Sequence, residues 1–167
     1  MTPEQRSFLE LAVVEQYTYA KIEEVMGITR DTMTKWWEEL KTEREQLSKI
    51  RSIWRKKFRD IGFGDFEIWY SKTDKRCYYC GATADKIYTL ISSGLVRTKR
   101  LPTRGRSLEI ERLDPNKPYD VTDNLVFSCY WCNNAKSDEF SAKEFKRLGR
   151  VIGKIWEERE SLGHIPQ

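Results

Sequence analysis

Apolar positions at the start of the chain recur at helical spacing, with Phe8, Leu9, Ala12 and Val13 forming one stripe among polar neighbours. Thr2, Pro3 at the first helical position and Gln5 three residues after Thr2 form a capping-box pattern, so a helix is predicted to start there. A second short helix is predicted over residues 18–26, ending at Gly27, and a third behind Thr29 as N-cap, running through Trp36 and Trp37. Leu40, Leu47, Ile50, Trp54 and Phe58 then share a stripe, while Arg51, Arg55, Lys56, Lys57 and Arg59 crowd the other faces. Gly62 and Gly64 break this helix, and Asp65 is placed to cap a short one through Tyr70. Further on the period changes to two. Residues 108–112 alternate as a strand, residues 114–123 are rich in turn formers, and residues 125–129 read as a returning strand, with a helix expected near Cys132. The last helix opens on a second capping box, Ser141 with Glu144, and a hydrophobic staple of Phe140 on Phe145. It is predicted to bury Phe145, Leu148, Ile152, Ile155 and Trp156, with Gly149 and Gly153 allowing close approach and Gly163 ending it. The expected fold class is mainly α with a small β part, an α+β arrangement.

Length and charge narrow the picture. A chain of 167 residues builds one ordinary domain or two small ones, and a small module needs a staple to stand alone. No apolar run is long enough to span a bilayer and the N-terminus lacks the layout of a secretory signal, so a cytoplasmic protein without membrane contact is expected. The net charge of +4 is modest, but it is unevenly spread. Residues 97–106 hold five cations, Arg97, Lys99, Arg100, Arg104 and Arg106, and no acid. Such a run is ordinarily a solvated face. Beside six Trp and eight Tyr it favours a polyanionic partner.

All four cysteines fall into two C-x-x-C pairs, Cys77 with Cys80 and Cys129 with Cys132, 48 residues apart. Zinc takes four tetrahedral N or S ligands, and two such knuckles complete a closed structural site. Two disulfides are disfavoured in a reducing compartment, and a thioredoxin-like redox pair needs only one motif within a βαβ unit. Four thiolates leave no open position for an activated water, so any catalysis falls to other groups.

Two resemblances follow from particular residues. Ile22, Met26, Ile28, Met33 and Trp36, with Gly27 at the turn, resemble a bacterial helix-turn-helix, although Glu23 stands where that motif has a small residue. The resemblance implies that Thr29, Arg30, Asp31, Thr32, Thr34 and Lys35 open a recognition helix facing a major groove. A small helical bundle that contacts another protein is the plainer alternative. Residues 77–136 resemble the HNH, or ββα-metal, endonucleases, in the zinc-bound branch where C-x-x-C pairs brace the finger. The motifs are an acid on the first strand, Glu111, an Asn before the second strand, Asn124, and C-x-x-C-N-x-x-K from Cys129 through Asn133 to Lys136.

The HNH resemblance implies that Glu111 and Asn133 bind a catalytic Mg²⁺ or Mn²⁺, that Asn124 fixes the loop, and that Lys136 lies near a phosphate. Arg112 stands where the family has its general-base His. Guanidinium stays protonated and cannot accept the water's proton, though it can hold a phosphate or stabilise its transition state. A missing base costs about 10²- to 10⁴-fold. The sole histidine, His164, reads as a tail residue, whereas Tyr119 and Asp114 are better placed to substitute. The resulting expectation has three parts: a helix-turn-helix over residues 1–40, a basic connecting helix over 41–64, and a zinc-bound ββα domain with a closing helix over 65–167. The expected function is a DNA-binding endonuclease or nickase acting on duplex DNA. The alternatives are a non-catalytic DNA-binding regulator or adaptor, or a protein-binding inhibitor or recruiter of a nucleic-acid enzyme. A homodimer through the last helix is a further alternative to core packing.

Overall fold

A computed structural model describes residues 1–97 and 105–166. Lys99, Arg100 and Arg104 lie outside the described residues. The chain divides into two compact units, Met1–Tyr70 and Ser71–Gln167.

The first unit is helical. Helix α1, Pro3–Leu9, starts at Thr2, whose side chain accepts from the Gln5 amide while Gln5 returns the bond. It runs on into a π-helical turn, Glu10–Val14. The wider turn carries both Val13 and Val14 into the core and leaves Ala12 only half-buried. Helices α2, Tyr19–Met26, and α3, Arg30–Glu39, are N-capped by Thr18 and Thr29, and the left-handed Gly27 lies between them. Helix α4 spans Lys41–Lys57 and α5 spans Phe63–Lys72. Phe8 is fully buried, with Tyr19, Trp36 and Trp37 edge-on to its ring at 6.1, 5.8 and 6.4 Å. Ile22, Met33, Leu40 and Leu47 complete this core, each worth about 1.5–3 kcal/mol relative to exposure.

The division falls later than the Gly64 boundary read from the sequence, and packing explains why. Phe66 of α5 is fully buried and stacks on Phe58 at 4.9 Å, Phe63 lies edge-on to Trp54 at 5.4 Å, and Glu67 pairs with Arg6. The start of α5 therefore closes the first core. Asp65 lies inside the first turn of α5, not ahead of it.

The second unit carries a two-stranded antiparallel sheet. Strand β1, Glu109–Arg112, pairs with β2, Leu125–Ser128, in a register that sets Glu109 opposite Ser128 and Glu111 opposite Val126. Helix α6, Ala84–Ser92, has no counterpart in the sequence reading; Thr83 caps it, and Ile87 and Leu90 anchor it. Helix α7, Tyr130–Lys136, leaves β2 directly, and α8, Ala142–Leu162, follows with its Ser141–Glu144 capping box formed. The core gathers Tyr79, Ile87, Leu90, Phe145 and Trp156 around the four cysteines.

Helix α8 buries part of the face predicted, with Phe145, Ile152 and Trp156 turned inward and Leu148 and Ile155 turned out. Gly149 and Gly153 are buried with the first three. The glycines set the choice. A Cβ on Gly149 would lie 2.6 Å from the Tyr79 Cβ, and one on Gly153 would lie 2.7 Å from the Cys80 carbonyl oxygen. The helix thus rests directly on the Tyr79–Cys80 backbone, closer than the Leu148 stripe could come. Among the described residues no helix is long and apolar enough to cross a membrane.

Candidate metal centre and catalytic cavity

The first knuckle is a tight turn. The Cys77 amide donates to the Ala82 carbonyl at 2.8 Å and the Gly81 amide to the Cys77 carbonyl at 2.9 Å, with Gly81 at a φ of 75° that suits glycine. In the second knuckle Cys129 is also the N-cap of α7, its sulfur accepting from the Cys132 amide at 3.5 Å. The four sulfurs lie within 4.8 Å of one another. Cys80 and Cys129 sulfurs are 3.7 Å apart, and a tetrahedral site with Zn–S bonds of about 2.3 Å has S–S edges of about 3.8 Å. All four thiols are free of disulfides. Four buried sulfurs this close hydrogen-bond to one another, which lowers the Cys77 pKa and raises that of Cys132, so that without a cation they do not ionise together. A divalent cation at the centre relieves this conflict, because it favours all four as thiolates. The cluster fits a structural zinc.

Beside this centre β1 and α7 line a small cavity of about 80 Å³, bounded by Glu111, Arg112, Pro115, Tyr119, Asn133, Lys136, Ser137 and Asp138. Glu111 is 7% exposed and Lys136 only 1%. The Lys136 ammonium lies 3.0 Å from Glu111 Oε1, and the Tyr79 hydroxyl donates to the same oxygen at 3.4 Å. Burial raises the Glu111 pKa above the usual carboxylate range, against the opposing pull of Lys136. Glu111 Oε2 is buried without a hydrogen-bond partner among the described residues. Asn133 donates its side-chain N–H to Glu109 Oε2 at 2.6 Å, which leaves its Oδ1 as a possible ligand. An unpartnered carboxylate oxygen and an amide oxygen suit a hard cation that keeps much of its water, as Mg²⁺ does.

Arg112 donates to the Lys117 carbonyl at 3.0 Å, lies 3.8 Å from Asp138, and holds its guanidinium over the Tyr119 ring at 4.7 Å. Asn124 clasps the loop between the strands: its Oδ1 accepts from the Asp114 amide at 2.9 Å and its Nδ2 donates to the Asp114 carbonyl at 3.2 Å. Asp114 turns its carboxylate to its own turn, accepting from the Asn116 amide at 3.0 Å, and borders a neighbouring cavity. His164 is exposed near the end of the chain.

The remaining sequence-nominated residues scatter. Lys136, expected beside a phosphate, is buried against Glu111, so its charge serves the acid and not the solvent. On α3 the Thr29 hydroxyl caps the helix through the Thr32 amide and meets the Thr32 hydroxyl at 3.0 Å, and the Thr34 hydroxyl donates back to the Arg30 carbonyl. Arg30 and Lys35 are exposed, the latter 3.8 Å from Glu39. Arg97 and Arg106 are exposed in the second unit. Three residues next to the cavity escaped the sequence reading: Tyr79, Glu109 and Ser128. Glu109 had a readable signal, since it is two residues from Glu111 and strand period places both on one face.

No family model and no curated protein matches the chain. Among solved structures it is similar to the rare-cutting HNH restriction endonuclease PacI, at 30% identity over 59% of this chain and 66% of that one, with a TM-score of 0.48. The match thus spans just under two thirds of that protein's length.

Proposed function

We propose that this chain is a DNA endonuclease or nickase that hydrolyses a phosphodiester at the β1–α7 cavity and is tethered to duplex DNA by α2 and α3. One observation carries the reading. Glu111, Arg112, Tyr119, Asn133 and Lys136, drawn from a strand, a loop and a helix, line one cavity beside a closed four-cysteine centre.

Each residue has a part that its chemistry allows. Arg112 supplies N–H donors for the non-bridging oxygens of the scissile phosphate, where negative charge grows as water attacks. Tyr119, beneath that guanidinium, is the cavity phenol that would relay the water's proton, its oxygen accepting that proton as its own O–H proton passes to solvent. Asp114 is less suited, because its carboxylate is tied to its own turn. Asn124 keeps the loop, and with it Tyr119, in register with β1. Glu111 Oε2 and Asn133 Oδ1 are the atoms that would hold Mg²⁺ or Mn²⁺, whose contribution when bound is to polarise the phosphate and acidify water. The zinc at Cys77, Cys80, Cys129 and Cys132 holds the finger and takes no part in the bond breaking. In the first unit, Arg30 and Lys35 offer exposed cations on the first turns of α3.

The test is a supercoiled-plasmid nicking assay with Mg²⁺, Mn²⁺ or EDTA, run beside Glu111→Ala with zinc content measured. Metal-dependent nicking lost in Glu111→Ala is the expected result. Absence of cleavage with every divalent metal, while DNA is still bound, refutes it.

A second reading, a DNA-binding regulator or adaptor on a nuclease scaffold, draws on the Arg112 substitution and on the neutralisation of Glu111 by Lys136. It predicts no cleavage by the natural chain and nicking gained in Arg112→His.

A further inference from the structure

Tyr79 lies between the two cysteines of the first knuckle and is 3% exposed. Its hydroxyl reaches across 32 residues of sequence to Glu111 Oε1. Three contacts hold this residue and its neighbour in place. Phe145 meets it edge-on at 5.1 Å, the bare backbone of Gly149 rests on its Cβ, and the neighbouring Tyr78 amide donates to the Phe127 carbonyl of β2 at 2.8 Å. On the other side of the sheet pairing, Ser128 is fully buried, and its hydroxyl lies 3.9 Å from the Cys77 sulfur.

Two of the groups that hold Glu111, Tyr79 from the knuckle and Lys136 from α7, bind the same oxygen, Oε1, while the buried Ser128 hydroxyl is a third neighbour that stabilises the carboxylate. Oε2 is thereby the oxygen left without a partner. A carboxylate held by one donor can turn about its last bond and offer either oxygen. Held by two donors from opposite elements, it cannot turn without losing one of them.

We infer that Tyr79 is a positioning residue: it joins the cysteine knuckle to Glu111 and fixes which carboxylate oxygen is left unpartnered for a cation. The inference rests on the nuclease reading for its activity readout, but not for its structural one. The knuckle then does more than brace the fold, because its geometry sets the aim of the acid. Phe at this position keeps the ring, the packing on Phe145 and Gly149, and every zinc ligand; it removes the hydroxyl alone.

The test compares wild type with Tyr79→Phe for zinc content, Tm, nicking kinetics, and the crystallographic position of the Glu111 carboxylate. The expected variant holds one zinc and melts near wild type. Its kcat falls roughly tenfold to a hundredfold, as for a catalytic group misaimed by a fraction of an ångström, its KM for DNA is unchanged, and it requires more Mn²⁺ for half-maximal rate. A zinc-loaded Tyr79→Phe with wild-type kcat and Mn²⁺ requirement overturns the inference and leaves the nuclease reading standing. If wild type does not nick, the nuclease reading fails and the crystal structures decide: a Glu111 carboxylate in the same place in both chains overturns the inference, and a rotated one upholds it. If Tyr79→Phe does not fold, Phe145→Leu loosens the ring while keeping the hydroxyl. A lower kcat at constant KM in that variant supports the inference, and an unchanged kcat refutes it.

Discussion

Lys136 shows how far burial changes what a residue can do. A lysine is almost never fully buried unless paired, and here the ammonium is 1% exposed and 3.0 Å from Glu111 Oε1. Taking both charges from water costs several kcal/mol per ion, so the pair is weak evidence for stability. Breaking it is another matter. Lys136→Met should destabilise the second unit by about 3–5 kcal/mol, because Glu111 is left as an uncompensated buried acid. Glu111→Gln added to Lys136→Met should recover much of that loss. Chemical denaturation of the single and double variants measures both effects, and two independent, additive losses would show that the residues do not act as a pair.

At the scale of elements, the last helix was legible in its ends and in its glycines, and misread only in the width of its buried face. Ser141, Glu144 and Gly163 mark the caps, and all three act as caps in the structure. Two apolar stripes compete along its length, one through Phe145, Ile152 and Trp156 and another through Leu148, Val151 and Ile155. Side-chain size alone favours neither. What decides is the close approach of the Tyr79–Cys80 backbone to Gly149 and Gly153, which follows from the zinc loop and not from helical period. Gly149→Ala provides the check. Helix propensity by itself would gain about 1 kcal/mol, but the added methyl meets backbone at 2.7 Å, and overpacking costs about 1–3 kcal/mol. A net loss of stability, with a lowered Tm, is expected; a more stable variant would mean that α8 does not rest on the knuckle. Helix α6 was missed for a related reason. Ile87, Leu90 and Ile91 have helical spacing, but the run is short, and its value as an anchor comes from the cysteine core it packs against.

For the whole molecule, the chemistry was more legible than the contacts. The four cysteines could be picked out because fixed spacing and side-chain chemistry mark them, whereas Glu111, Asn124 and Asn133 were nominated through the HNH resemblance. Tyr79 could not, since a phenol inside a C-x-x-C turn gives no hint of a partner 32 residues away. The burial of Lys136 was hidden for the same reason. The division at Tyr70 also depends on tertiary packing, through Phe58, Phe63 and Phe66. On the proposed reading, two compact units would allow DNA affinity and cleavage to be altered separately. Arg30→Ala and Lys35→Ala should each weaken binding to duplex DNA and lower the steepness of its salt dependence by about one ion. Zinc content and the stability of the second unit should not change. Fluorescence anisotropy across a salt series measures the slope, and unchanged affinity in both variants would remove α3 as a DNA contact.

Cys129 holds two posts at once: its sulfur is one corner of the four-cysteine centre and the cap of the helix that carries Asn133 and Lys136. Zinc held there is tied on one side to a helix and not to a loop alone. Release that frees Cys129 is expected to loosen the first turn of α7, and with it the hold on Asn133 and Lys136. Metal exchange should accordingly be slow, governed by a local unfolding rate and not by ligand basicity, and a chelator or thiol oxidant that captures the opened cysteines would dismantle the adjacent cavity in the same step.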